Sequence, residues 1–180
     1  MPRLAVFVLG TVLLAGGSAS AQDRGDVSGG YRFLRSDGVN FGAGWYVDVA
    51  GHVTDVVSVV GDIGGTYKSV TETVQGITIS ADVKLHTFMG GARFRAAMLN
   101  PSIVPFGQVL FGAGNARASA SGGGISISES ATDGAMMLSG GVDVNGGGSL
   151  GVRVQAGVLR DFSDDASNAF TFSIGAKIGF

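Results

Sequence analysis

Ala169 to Phe180 reads A-F-T-F-S-I-G-A-K-I-G-F. Side chains alternate along extended backbone, so Phe170, Phe172, Ile174, Ala176, Ile178 and Phe180 share one face of a strand. Thr171, Ser173, Gly175, Lys177 and Gly179 share the other. A period of two held over about ten residues is what a bilayer-crossing β-strand requires, apolar toward lipid and polar toward a barrel interior.

Seven earlier segments carry the same alternation between turn signals. Val27–Leu34 sets Val27, Tyr31 and Phe33 against Ser28, Gly30 and Arg32. Phe41–Ala50 sets Ala43, Trp45, Val47 and Val49 against Gly44, Tyr46 and Asp48. Val57–Lys68 opposes Val59, Ile63 and Tyr67 to Ser58, Asp62 and Thr66, and Lys84–Met98 opposes Phe88, Ala92 and Phe94 to Thr87, Gly91, Arg93 and Arg95. Val104–Arg117 opposes Val109, Phe111 and Ala113 to Gln108, Gly112 and Gly114, with Phe106 and Leu110 breaking the pattern on the polar face. Asp133–Asn145 opposes Met136, Leu138, Val142 and Val144 to Ser139, Gly141 and Asp143. Leu150–Leu159 opposes Leu150, Val152, Val154 and Val158 to Gly151, Arg153, Gln155 and Gly157.

Short connections are expected at Gly51–Val56, Leu99–Ile103 and Gly146–Ser149. Longer polar ones are expected at Arg35–Asn40, Ser69–Val83, Ala118–Thr132 and Arg160–Asn168. Alternating lengths fit an up-and-down barrel with both termini in the periplasm and the longer loops outside. Ala118–Thr132 is low-complexity and rich in Ser and Gly, and is expected to form a mobile loop.

Residues 1–21 have the order of a secretory signal: Arg3, an apolar run from Leu4 to Ala15, then Ala19-Ser20-Ala21 as a cleavage site. The mature chain would begin at Gln22, and residues 22–180 would form one barrel domain. No Cys follows the apolar run, so a lipid anchor is not expected. Removing Arg3 leaves 11 basic against 14 acidic side chains, a balance that gives no support for nucleic-acid binding. The absence of Cys excludes disulfide staples, thiol catalysis and Cys-ligated metals. The 32 Gly residues have no collagen period, and inside a small barrel they relieve crowding.

Hydrocarbon leaves an open sheet edge unsatisfied, so the eight strands must close into an antiparallel all-β barrel. An eight-stranded interior is just wide enough for side chains to fill. The inward polar set is Arg32, Asp48, Asp62, Arg93, Arg95, Gln108, Asp143, Arg153, Gln155 and Lys177. Both signs are present, so the charges are expected to pair into a lumen network, because an unpaired charge there costs several kcal/mol.

This layout resembles the small eight-stranded outer-membrane barrels of the OmpA transmembrane-domain, OmpX and opacity-protein kind. The resemblance rests on the leader, G-A-R-F-R at Gly91–Arg95, P-F-G-Q-V-L-F-G at Pro105–Gly112 and the terminal strand. It covers essentially the whole mature chain, and its motifs are architectural. The resemblance implies integral outer-membrane location in a Gram-negative bacterium, and contact with outer-membrane lipid. It also implies recognition of the C-terminal aromatic, Phe180, by the barrel-assembly machinery. The chain stops after its eighth strand, so a peptidoglycan-binding domain is not expected.

No catalytic set is legible. Some eight-stranded barrels modify lipid A with His, Ser and an acidic residue, but His52 in H-V-T and His86 in H-T-F do not match the deacylase-like H-x-S. His52 reads as a turn histidine and His86 as an interfacial one. Asp161, Asp164 and Asp165 form D-x-x-D-D without an EF-hand pattern and read as a solvated acidic loop. Trp45, Phe33, Tyr67 and Phe180 are candidates for interfacial aromatic girdles. The reading is a non-catalytic, cofactor-free monomer with a structural or surface-interaction role, open to an extracellular ligand through its loops. The rivals are a small porin-like channel and a soluble lipocalin-like binding barrel.

Overall fold

Nine strands form among the residues that the structure, a computed structural model, describes. Those residues are 24–36, 38–74, 77–96, 102–122, 125–146, 149–163 and 167–180. The leader, the expected start at Gln22, the Asn100-Pro101 turn and the pair Asp164 and Asp165 lie outside them. The strands are β1 Gly25–Ser36, β2 Val39–Phe41, β3 Ala43–His52, β4 Val57–Val74, β5 Ile77–Arg95, β6 Ile103–Gly122, β7 Ile125–Asn145, β8 Leu150–Asp161 and β9 Asn168–Gly179.

They make eight staves. β2 and β3 both pair with β1, and between Leu34↔Phe41 and Tyr31↔Trp45 three residues oppose two. That surplus is a β-bulge at Gly42, which splits one stave into two strands. The Gly42 carbonyl accepts a hydrogen bond from the Tyr31 hydroxyl. Each stave pairs antiparallel with its sequence neighbour, and β9 returns to β1 from Asp26↔Gly179 to Ser36↔Ala169. The β1–β9 pairing closes the barrel among the described residues.

Facing follows the alternation. Phe88, Phe94, Phe111, Leu138, Val152, Phe170, Phe172 and Ile174 are exposed on the outside. Their inward neighbours Thr87, Arg93, Leu110, Ser139, Arg153, Thr171 and Ser173 are buried. The outer ring is apolar on every stave, a patch far larger than a water-soluble monomer carries and the surface that a bilayer core requires. No helix among the described residues is long and apolar enough to cross a membrane, so the strands do the crossing. A lipocalin-like interior is excluded, because charged side chains fill the space where a lipocalin keeps its apolar cavity.

The connections depart from expectation. Within Ser69–Val83 and Ala118–Thr132 the described residues are not loop but paired strand. β4 and β5 stay in register to Val74↔Ile77, and β6 and β7 to Gly122↔Ile125. The Thr/Val stretch near Val70 and the I-S-I-S-E-S stretch from Ile125 alternate at period two, and that outweighs a composition that reads as low-complexity. β1 and β2 likewise run to Ser36↔Val39 across a two-residue turn. Gly38 there has φ +77°, a conformation open to glycine at no steric cost. The long–short asymmetry therefore comes from strands of unequal length.

β4 to β7 rise past the other staves as one four-stranded wall, at the end away from both termini. Register is unbroken through β4–β5, β5–β6 and β6–β7, so facing carries upward without a slip. The polarity then inverts. The row continuing the barrel's outer face is Ser69–Asp82–Ser119–Ser128, with Thr71–Ser80–Ser121–Ser126 above it. The row continuing its inner face is Val70–Ala81–Ala120–Ile127, an apolar strip beside a row Lys68–Val83–Ala118–Glu129 that is charged at both ends.

The change falls just beyond a band where Trp45 Nε1 donates to the Tyr67 hydroxyl at 3.0 Å, and that hydroxyl lies 3.2 Å from His86 Nε2. Apolar rings with polar tips suit a membrane–water boundary. Ile174→Arg, in the middle of β9 on the lipid face, should destabilise the barrel by about 2–4 kcal/mol. Ser128→Arg, on the wall's outer face, should stay within about 0.5 kcal/mol of the parent. Urea titration in phospholipid vesicles measures both, and equal losses would refute the inversion.

Candidate functional site

The interior is built from inward side chains in two layers. The layer nearer the termini is ionic, and Arg153 is its centre. Register opposes Arg153 on β8 to Asp143 on β7. The guanidinium donates through Nε to Asp143 Oδ1 at 2.7 Å and through Nη2 to Asp143 Oδ2 at 2.8 Å. Across the lumen its Nη1 reaches Asp48 Oδ1 at 2.7 Å, and Nη2 reaches Asp26 Oδ1 at 2.9 Å. Arg93 lies 3.1 Å from Asp48 Oδ2 and 3.4 Å from Asp26 Oδ1, and donates to Gln108 Oε1 at 2.9 Å. Lys177 Nζ sits 3.0 Å from Asp143 Oδ2. His52 Nε2 sits 3.0 Å from Asp26 Oδ2. Arg93, Asp48, Asp143 and Arg153 have no exposed surface. A separate pair joins Arg32 to Asp62 by two bonds of 2.9 and 2.7 Å, with Arg32 Nε donating to Ser173 Oγ at 3.1 Å.

Phe106 interrupts the polar face of β6 for a reason visible here. The Arg93 guanidinium carbon lies 4.9 Å from its ring centroid and that of Arg153 5.1 Å, so two cations share one ring. Tyr46 serves Arg32 in the same way at 5.0 Å. Both rings need glycine beside them. A Cβ on Gly141 would sit 2.7 Å from Phe106 Cζ, and one on Gly175 would sit 2.7 Å from the Tyr46 hydroxyl.

Away from the termini the lumen is capped by apolar side chains, with Leu34, Met89, Met137 and Leu159 buried together. The space that they enclose with Arg32, Thr66 and Leu85 is about 10 Å³, the room of a single water.

Of the inward charges read from the sequence, Arg32 and Asp62 form one pair, and Asp48, Arg93, Asp143, Arg153 and Lys177 join one network. Arg95 shares in neither. Asp26 and His52 belong to the network although the sequence reading assigned them no part in it. Asp26 lies two positions before Ser28 and so on the same face, and His52 shares parity with Asp48, so starting β1 one residue earlier and ending β3 two later would have found both. His52 is the last residue of β3, not part of the turn, while His86 faces outward, so the two histidines share no site.

Asp161 is tied into its own connection, accepting from Ser163 Oγ and Ser167 Oγ, each at 2.8 Å. Among the described residues no group of three or more His, Cys, Asp or Glu side chains is placed to hold a metal. Phe180 closes the ladder by exchanging two 3.0 Å backbone bonds with Gly25, and its ring is exposed on the outer face.

Asp62→Ala should cost about 3–5 kcal/mol, because it strands a buried guanidinium. The double variant Arg32→Met, Asp62→Leu should recover most of that loss. Folding titrations of the three proteins check this, and a double variant as unstable as Asp62→Ala would show that the pair is not the cause.

No protein-family model matches the chain, and no curated protein matches it by sequence. Solved structures do match its fold. The attachment invasion locus protein Ail of Yersinia pestis, solved in complex with the heparin analogue sucrose octasulfate, is 23% identical with a TM-score of 0.61. That match covers 87% of this chain and 99% of Ail. Neisserial surface protein A is 12% identical with a TM-score of 0.63, over 87% of this chain and 96% of that one. The N-terminal β-barrel domain of Pseudomonas aeruginosa OprF is 12% identical with a TM-score of 0.52, over 88% and 100%. With its eight staves, polar interior and apolar girdle, the chain has the fold of the small eight-stranded outer-membrane β-barrels.

Proposed function

We propose that the protein is a non-catalytic, monomeric barrel of the Gram-negative outer membrane that presents the β4–β7 wall at the cell surface as an interaction platform. The polarity inversion carries this reading. Val70, Ile79, Ile125 and Ile127 stand on the wall's inner face above the barrel mouth, and Ile125 and Ile127 are 69% and 64% exposed. Water-facing isoleucines on a paired sheet are costly to keep unless a partner covers them.

Residues 1–21 are then the export signal, and Phe180 the mark that the barrel-assembly machinery reads. Both termini lie in the periplasm, which sets the wall outside. The heparin analogue in the Ail complex is a polyanion. This wall carries Lys68, Lys84 and Arg117 against Asp82, Glu129 and Asp133, a mixed surface that favours a partner with an apolar strip over a polyanion. The filled lumen supports a scaffold over a channel.

The absence of native Cys makes the topology directly testable. On intact cells, Ser128→Cys should react with a membrane-impermeant maleimide, and Ser149→Cys should react only after the outer membrane is broken. The reverse pattern would overturn the orientation. An environment-sensitive apolar dye should brighten on the purified barrel and lose at least half of that signal with Ile125→Ser, Ile127→Ser. In planar bilayers the unmodified protein should carry no steady current, and a persistent voltage-independent conductance would replace the scaffold with a pore.

A further inference from the structure

At the end of the barrel where the termini emerge, a cavity of about 110 Å³ is lined by Asp26, His52, Arg95, Asn145, Ser149 and Lys177, together with Gly25, Val104 and Gly179. That is room for several waters, and so for a small oxyanion.

The charge pattern around it is unequal. The four carboxylates of the ionic layers, Asp26, Asp48, Asp62 and Asp143, are met by four cations, Arg32, Arg93, Arg153 and Lys177. Arg95 is a fifth cation on the same inward face of β5 as Arg93. Its Nε is buried and meets no hydrogen-bond partner among the described residues. A guanidinium donor withdrawn from water and left unpaired is destabilising, and more so beside other cations. Asp26 cannot relieve it, because one of its oxygens is held by Arg93 and Arg153 and the other by His52.

We propose that this cavity is an oxyanion site that takes a carboxylate or phosphate group entering from the terminal end. Arg95 supplies the planar fork that fits such a group, and Lys177 adds a second positive charge. Ser149 and Asn145 line the mouth with neutral polar groups. The bound anion supplies the counter-charge that the lumen's own carboxylates lack. Functionally, it makes the inner mouth a docking point for an acidic group of the periplasm, independent of what the wall binds.

The test uses protein purified from membranes, in detergent, and follows the Arg95 Nε–Hε NMR resonance at constant ionic strength held with chloride. Inorganic phosphate and acetate are titrated separately. Saturable movement of that resonance by one or both is expected, and the anion giving the tighter curve identifies the ligand class. Arg95→Gln, which keeps the network's ion pairs, should weaken binding at least tenfold, read from the neighbouring Lys177 and His52 resonances. Arg117→Gln, on the wall, should leave binding unchanged, and heat-modifiable mobility on gels confirms that each variant is folded. Non-saturating shifts with both anions, or equal affinity in folded Arg95→Gln, would overturn the site.

Discussion

Backbone polar groups find no water in hydrocarbon, so a sheet that crosses a bilayer must pair its first strand with its last. Here that closure is the β1–β9 ladder, and every other feature of the barrel follows from the width it sets. Eight staves enclose too little space for a water column, so side chains must fill the interior. Filling it with charge is tolerable only when each charge is met. The glycines beside Phe106 and Tyr46 are a consequence of the same narrowness. They make room for two aromatic rings, and the rings in turn carry three guanidinium groups.

The spanning part of this arrangement was legible because period-two alternation is imposed by the membrane on every strand. Val59 out and Asp62 in, or Phe172 out and Ser173 in, follow from sequence parity alone and are so placed in the structure. Strand ends were less legible. Parity says which way a residue faces, not where pairing stops. Asp26 and His52 were therefore left outside the network by strands drawn one or two residues too short. The wall was missed for a related reason. Ser and Gly content suggests a flexible connection, but a strand in water can be built of Ser, Ala and Ile when its neighbours supply the hydrogen bonds. Which cation pairs with which carboxylate depends on distances across the lumen, and no local pattern encodes those.

The wall also locates the membrane boundary from within the chain. One uninterrupted register carries β5 from Arg93, facing in beside Phe94 facing out, to Ala81, facing in beside Asp82 facing out. Geometry is constant along this path and only the solvent on each side changes. The hydrogen-bonded Trp45, Tyr67 and His86 stand where apolar side chains cease to face outward. Past that point an apolar inner face is no longer required by the fold, since both faces meet water.

The ionic layer is a cross-link as well as a filling. Arg153 joins β8 to Asp143 on β7, to Asp48 on β3 and to Asp26 on β1, while Lys177 adds β9. With no disulfide in the chain, the bonds of Arg153 to Asp48 and Asp26 tie strands across the lumen rather than around it, as the Arg32–Asp62 pair does. They also depend on closure. Until β1 docks on β9, Asp26 is absent from the site and Arg153 and Arg93 each lack one carboxylate. Until β8 and β9 are in place, Asp48 and Asp26 lack Arg153. Each partner strand thus stabilises charges carried by the others, so partly closed sheets bear unpaired charge in a low-dielectric setting and are penalised relative to both end states. The charges that make the interior expensive to build are, by this reasoning, also what makes the closed barrel form as a single cooperative unit.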